Sequence, residues 1–163
     1  MKRLFFGMLF VFLVWGLFAQ SATQSIVITG TVPQILNIVT ESSVTTFDLN
    51  ELGATVLLPS VTFKSNLKSW VIKVYSENAS NLKNDDNDLI SYTFTLGTLF
   101  SNISLLSTEP NFGESGYKLM SGKTAKTGTL QSMAITYSGD GGTFWSYDAG
   151  SFIDTITLKV AVN

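Results

Sequence analysis

The sequence predicts an all-β protein, an antiparallel β-sandwich of about eight to ten short strands. Two observations indicate this fold class: apolar and polar residues alternate in many short runs, and turn residues separate these runs. A third is that no stretch beyond the apolar N-terminus has the 3.6-residue period of an amphipathic helix. A closed barrel is the alternative arrangement for strands of this kind.

The first residues have the three-part pattern of a secretory signal. Lys2 and Arg3 precede fifteen apolar or glycine residues, Leu4 to Phe18, and a small and polar run follows at Ala19 to Ala22. This apolar core is short, because a membrane-spanning helix needs about 20 such residues. We therefore expect a signal peptide at residues 1–19, no membrane span after its cleavage, and a location in the periplasm, at the cell surface or outside the cell. Cleavage two residues later and an uncleaved anchor are the alternatives.

Composition restricts what residues 20–163 can do. At 144 residues this part is expected to form a single domain with a sizeable core. Loss of Lys2 and Arg3 leaves eight basic and twelve acidic residues, a net charge of −4, which argues against nucleic-acid binding. The sequence has no His and no Cys, and so lacks the usual general base, the thiol nucleophile and the common zinc ligands. We expect neither catalysis nor a cofactor, and stability that comes from core burial without disulfides.

The predicted strands follow one another along the whole of this domain. The clearest alternation occupies segments 26–32, 35–39, 56–65, 70–75, 90–96, 133–137 and 154–162, with shorter candidates at 47–49, 103–106 and 117–120. Pro33 separates the first two segments and indicates an edge position or a bend.

The last segment has the most regular pattern. Its alternation predicts one face in the core and one face in solvent. The core face is Ile156, Leu158, Val160 and Val162, and the exposed face is Thr155, Thr157, Lys159 and Ala161.

One acidic segment is a candidate metal site. Asn84 to Asp88 reads N-D-D-N-D and concentrates the oxygen ligands that calcium prefers, with Asp85, Asp86 and Asp88 as candidate ligands. It lacks the glycine and the downstream glutamate of a calcium-binding loop. A solvated turn between two strands is therefore the main interpretation.

Several aromatic residues could stack on sugar rings if they faced solvent together. Trp145, Tyr147 and Tyr75 are the candidate binding residues. Trp70 shares its side of a predicted strand with Ile72, and we therefore expect Trp70 in the core.

Short motifs at both ends and in the middle of the domain carry a resemblance. Ala149 to Phe152 followed by Asp154 to Leu158 resembles the ending of bacterial spore-coat-U-like and fimbrial-subunit-like secreted domains. Ile28 to Pro33, Ser65-Asn66 and Trp70 to Ile72 are similar to the same group. The resemblance implies an immunoglobulin-like sandwich, export to the envelope or surface, and a structural or adhesive role without catalysis.

These patterns together favour an exported, non-catalytic structural or adhesive subunit of the bacterial cell surface, pilin-like, whose partners are itself or other surface subunits. A monomeric extracellular module that binds carbohydrate or another ligand is the alternative. We expect Ser25 to Val32 to pair within its own chain and to leave a self-contained monomer. The other arrangement is that this segment adds a strand to a neighbouring subunit.

Overall fold

The structure, a computed structural model, describes residues 27–49, 53–138 and 150–163. The chain divides between Val32 and Pro33 into two units. All the described strands lie in the second unit, Pro33–Asn163. Of the first unit only residues 27–32 are described, so the predicted signal peptide lies outside the described residues.

Nine strands make up the described part of the second unit, which has no helix. They are β1 (Leu36–Thr40), β2 (Gly53–Ser65), β3 (Ser69–Ser76), β4 (Asn81–Lys83), β5 (Leu89–Leu96), β6 (Phe100–Ile103), β7 (Tyr117–Ser121), β8 (Thr129–Ser138) and β9 (Ile156–Val162). Every pairing between them is antiparallel. The predicted all-β, antiparallel class is confirmed.

The strands form two sheets. The larger has six strands in the order β1-β2-β8-β5-β4, with β6 also pairing with β5, and the smaller has three in the order β7-β3-β9. Strand β2 passes through Pro59 where its register with β8 shifts, between Leu58 and Val61. A proline has no N–H to donate to the ladder, which explains why it lies at this irregularity.

Both sheets contribute to one hydrophobic core. Residues of β2, β5 and β8 enter it from the larger sheet, and Trp70, Ile72 and Val74 of β3 enter it from the smaller. The rings of Phe63 and Trp70 meet across the core with their centroids 6.2 Å apart. Trp70 is 2% exposed, which confirms its predicted place in the core. Two antiparallel sheets with one shared core fit a β-sandwich.

The prediction for the first segment is wrong where the structure describes it. Residues 27–32 form no strand, and the side chains of Val27 and Ile28 are 87% and 91% exposed. The ladder between β1 and β2 starts only at Leu36, because the side chain of Asn66 hydrogen-bonds the backbone groups that come before it. Its Oδ1 accepts the N–H of Ile35 (2.8 Å), and its Nδ2 donates to the carbonyl of Pro33 (2.8 Å). Residues 25 and 26 of the predicted pairing lie outside the described residues.

The core face predicted for β9 is confirmed, but its side chains are less buried than those of a central strand. Ile156, Leu158 and Val160 pack against the core, yet each is only half-buried. Thr155 and Lys159 are exposed as expected, whereas Thr157 and Ala161 are half-buried and Val162 is exposed. The reason is that β9 lies at the edge of the smaller sheet, with a partner strand on one side only among the described residues.

The shorter candidates have mixed outcomes. Segment 117–120 lies within β7, whereas 47–49 is not a strand and 103–106 contributes only Ile103 to β6. Phe47 nevertheless stacks on Tyr137 of β8, with ring centroids 6.1 Å apart. Strand β4 was not predicted, since three residues are too few to show a period.

Candidate functional site

The carboxylate of Asp154 joins three parts of the chain just before β9 begins. Its Oδ1 accepts the backbone N–H groups of Asn78 (2.9 Å) and Thr155 (2.8 Å). Its Oδ2 accepts the hydroxyl of Tyr92 (2.6 Å), a β5 residue in the core. The aspartate of the C-terminal motif therefore ties the start of β9 to the β3–β4 turn and to the larger sheet.

Burial makes the Tyr92 hydroxyl a permanent donor in this network. Burial and then the hydrogen bond to Asp154 raise the pKa of Tyr92 far above its ordinary value, so the phenol stays protonated. The oxygens of Asp154 thus accept two backbone N–H groups and one phenol, which hold three parts of the chain together. The network therefore has a structural role.

The residues before Asp154 pair with the opposite sheet. Ile153 exchanges two backbone hydrogen bonds, of 2.8 and 3.0 Å, with Lys83, the last residue of β4. The chain then leaves the larger sheet and enters the smaller one as β9. Residues 150–155 therefore pass from the larger sheet to the smaller one, and the hydrogen bonds of Asp154 fix the chain where it passes.

Strands β1 and β9 are edge strands of different sheets and lie close together without pairing. In the described part of the chain, β1 pairs only with β2, and β9 pairs only with β3. We call the side of the unit bounded by these two strands the β1–β9 seam. Five aliphatic side chains of the seam pack against the core while remaining half-buried: Leu36, Ile38, Ile156, Leu158 and Val160. An unpaired edge above half-buried aliphatic residues is a place where another strand can add.

The candidate calcium ligands lie in the turn between β4 and β5. Asp85 and Asp86 are exposed, and Asn84 organises the turn: its Oδ1 accepts the Asp88 N–H (2.7 Å) and its Nδ2 donates to Asp88 Oδ2 (3.0 Å). No group of three or more acidic side chains that could hold a metal ion occurs among residues 27–49, 53–138 and 150–163. The calcium site stays a prediction, and the observed geometry is that of a turn closed by an asparagine.

Of the three aromatic candidates, Trp145 and Tyr147 lie outside the described residues. Tyr75 is half-buried near the end of β3, opposite Thr157 of β9. It shares the outward face of the smaller sheet with Lys73, because the two residues are two positions apart in one strand. Sugar binding by these three residues stays a prediction.

A group of residues that sequence patterns did not single out lies on this outward face. Lys73 pairs in register with Tyr117 of β7 on one side and with Lys159 of β9 on the other. Glu109, from the β6–β7 connection, accepts a hydrogen bond from each lysine at 2.7 Å. Glu109 is 36 residues from one lysine and 50 from the other, so no local spacing could have revealed the group.

Comparison with protein-family models and with curated proteins finds no match for this chain. None of the described residues belongs to a helix with the length and apolar character needed to cross a membrane.

Proposed function

We propose that the chain is an exported, non-catalytic structural or adhesive subunit of the bacterial cell surface, with an immunoglobulin-like sandwich fold. Its partners are copies of itself or other surface subunits, and the joint forms by strand addition at the β1–β9 seam. The observation that carries this proposal is the seam, where two neighbouring edges leave aliphatic side chains half-buried. The signal-like N-terminus supports export.

Residues 27–32 have the composition of an added strand. In an extended conformation Ile28 and Val32 share one face, and both are exposed in the structure, by 91% and 84%. Burying a side chain of this size contributes about 1.5 to 3 kcal/mol, so covering both in a partner's seam supplies a substantial driving force. Main-chain hydrogen bonds to the edge of β9 that no described strand occupies would set the register.

The chemistry of the described residues also supports a role without catalysis. The sequence contains neither His nor Cys. The Asp154 carboxylate is committed to backbone N–H groups and to Tyr92, and the Glu109 carboxylate is committed to two lysines. Hydrogen-bonded in this way, neither group is set up as a general base.

The test compares residues 20–163 with a deletion that lacks residues 20–32. Strand addition predicts that the longer protein forms oligomers at high concentration in light scattering, whereas the deletion stays monomeric and keeps its urea midpoint. A synthetic peptide of residues 20–32 should bind the deletion protein, and the same peptide with Ile28→Asp should not. A large loss of stability in the deletion would instead show that the segment completes its own domain.

Two point variants of residues 20–163 are compared, after a urea midpoint has shown that each of them is folded. Val160→Asp places a charge in the seam, and Leu130→Asp places one on the exposed face of the larger sheet. Val160→Asp should abolish assembly and Leu130→Asp should leave it intact. Equal assembly of both variants would contradict strand addition at the seam.

A further inference from the structure

The outward face of the smaller sheet carries aromatic and charged side chains in contact with one another. Lys73, Tyr117 and Lys159 form one row across β7, β3 and β9. Glu109 bridges the two lysines from above, and Phe112, from the same connection, packs on Tyr117. We call these residues and Tyr75 the aromatic–lysine patch: Lys73, Tyr75, Glu109, Phe112, Tyr117 and Lys159.

The charged part of the patch is held in place before any ligand arrives. Both oxygens of Glu109 are 2.7 Å from a lysine Nζ, and the hydrogen bonds from Lys159 and Lys73 lower the pKa of Glu109. A lysine ammonium has three donors, and each lysine directs one of them to Glu109. The patch thus keeps a charge of +1 and donors for a further acceptor, on a chain whose net charge is −2. Lys159 is the more accessible of the two, with 49% of its side chain exposed against 17% for Lys73.

The aromatic part of the patch is the exposed ring of Phe112, which packs on Tyr117. Phe112 is 79% exposed and meets Tyr117 edge-on, with ring centroids 5.6 Å apart. The Nζ of Lys73 lies 5.8 Å from the centroid of Tyr117. Contacts therefore run without a break from Phe112 through Tyr117, Lys73 and Glu109 to Lys159. An exposed phenylalanine at the end of such a chain differs from the isolated apolar residues that are normal on a protein surface.

We propose that the aromatic–lysine patch binds an acidic polysaccharide. The C–H faces of sugar rings would stack on Phe112, and a uronate carboxylate would accept hydrogen bonds from Lys159. Glu109 holds the lysines in place and leaves the patch with its net positive charge. A sheet face suits an extended polymer, since small ligands are normally enclosed in concave pockets. Lys159 belongs to β9, one of the two strands that bound the β1–β9 seam, so the patch adjoins the seam. The patch lies on the outward face of the smaller sheet, whereas the aliphatic side chains of the seam pack against the core.

Affinity electrophoresis of residues 20–163 in gels that contain polygalacturonate tests the proposal. We expect retardation that weakens as salt is raised, and at least a tenfold weaker interaction for Phe112→Ala and for Lys159→Met. Leu130→Ala, on the exposed face of the other sheet, is the matched control and should bind like the unmodified protein. All three changes are at exposed side chains, and a urea midpoint for each variant verifies that it folds.

Two further polymers separate the proposal from its competitors. Neutral galactan should cause little retardation, since it has no carboxylate for Lys159. Polyglutamate should also cause little, since it has no sugar ring for Phe112. The proposal is overturned if polygalacturonate fails to retard the protein, if either variant binds it normally, or if galactan or polyglutamate binds equally well.

Discussion

Replacing Asp154 with alanine removes the acceptor shared by three donors. The N–H groups of Asn78 and Thr155 and the hydroxyl of Tyr92 all bind its carboxylate, at 2.9, 2.8 and 2.6 Å. Tyr92 is 4% exposed, so water cannot readily take the place of the carboxylate at its hydroxyl. Thr155 is exposed, and solvent can satisfy its N–H in the variant.

The expected loss of stability depends on how well solvent can reach each of the three donors. Hydrogen bonds to a charged group contribute about 1.5 to 3 kcal/mol each, and a buried donor left without a partner costs about 1 to 3 kcal/mol. Because solvent compensates at Thr155, we expect Asp154→Ala to lower the free energy of unfolding by about 3 to 5 kcal/mol. For a domain of this size that corresponds to a fall of roughly 10 to 15 °C in Tm.

Urea unfolding followed by tryptophan fluorescence measures this change, because Trp70 is buried in the core. Asp85→Ala is the matched control: it removes an exposed carboxylate in a turn and should change stability by less than about 0.5 kcal/mol. If Asp154→Ala lowers the midpoint no more than Asp85→Ala, then Asp154 does not anchor β9. A double-mutant cycle with Tyr92→Phe should give a coupling of about 1 to 2 kcal/mol, and additive effects would contradict the hydrogen bond.

Three further predictions concern the core and its turns. Burial and the hydrogen bond to Asp154 raise the pKa of Tyr92. Its contribution to the free energy of unfolding is therefore present below about pH 10 and is lost as pH rises above that, because the unfolded chain then releases the proton. Tyr92→Phe should reduce this alkaline loss of stability in pH-dependent urea titrations. Gly116 and Gly113 both have a positive φ, but a Cβ at Gly116 would overlap the Val74 carbonyl oxygen, whereas a Cβ at Gly113 would meet no other atom. Calorimetry should show that Gly116→Ala costs more than about 2 kcal/mol and Gly113→Ala about 1 kcal/mol, and equal costs would argue against the contact. Leu158→Ala should cost about 1 to 3 kcal/mol and Thr157→Ala under about 1 kcal/mol in urea unfolding, and equal midpoints would refute the orientation of β9.

Local pattern alone was sufficient for the all-β class and for most of the strands. The alternation in β5 places Ile90, Tyr92, Phe94 and Leu96 on one side, and all four are buried. The same reasoning placed Trp70 in the core. It succeeded because side chains alternate between the two faces of a strand, so that a strand with one buried face has a period of two in its own sequence.

Alternation could not show whether an extended segment has a partner. Residues 26–32 have the pattern of a strand, yet the part that is described, from Val27 onwards, forms none. Ile156 and Leu158 were expected on the core face, and they do pack against the core, but they are only half-buried because β9 is an edge strand among the described residues. A ladder requires a second strand with free N–H and C=O groups alongside, and this depends on the order of strands in the sheets.

The connections between distant residues were decided by the tertiary structure alone. Tyr92 and Asp154 are 62 residues apart, and Glu109 meets two lysines on different strands. Single charged or aromatic residues in turns and strands give no indication of such partners, because their spacing along the chain follows no period. The sequence by itself determined which residues face the core in most strands. The folding of two sheets onto that core determined which polar residues meet and which of the described strands lie at the sheet edges.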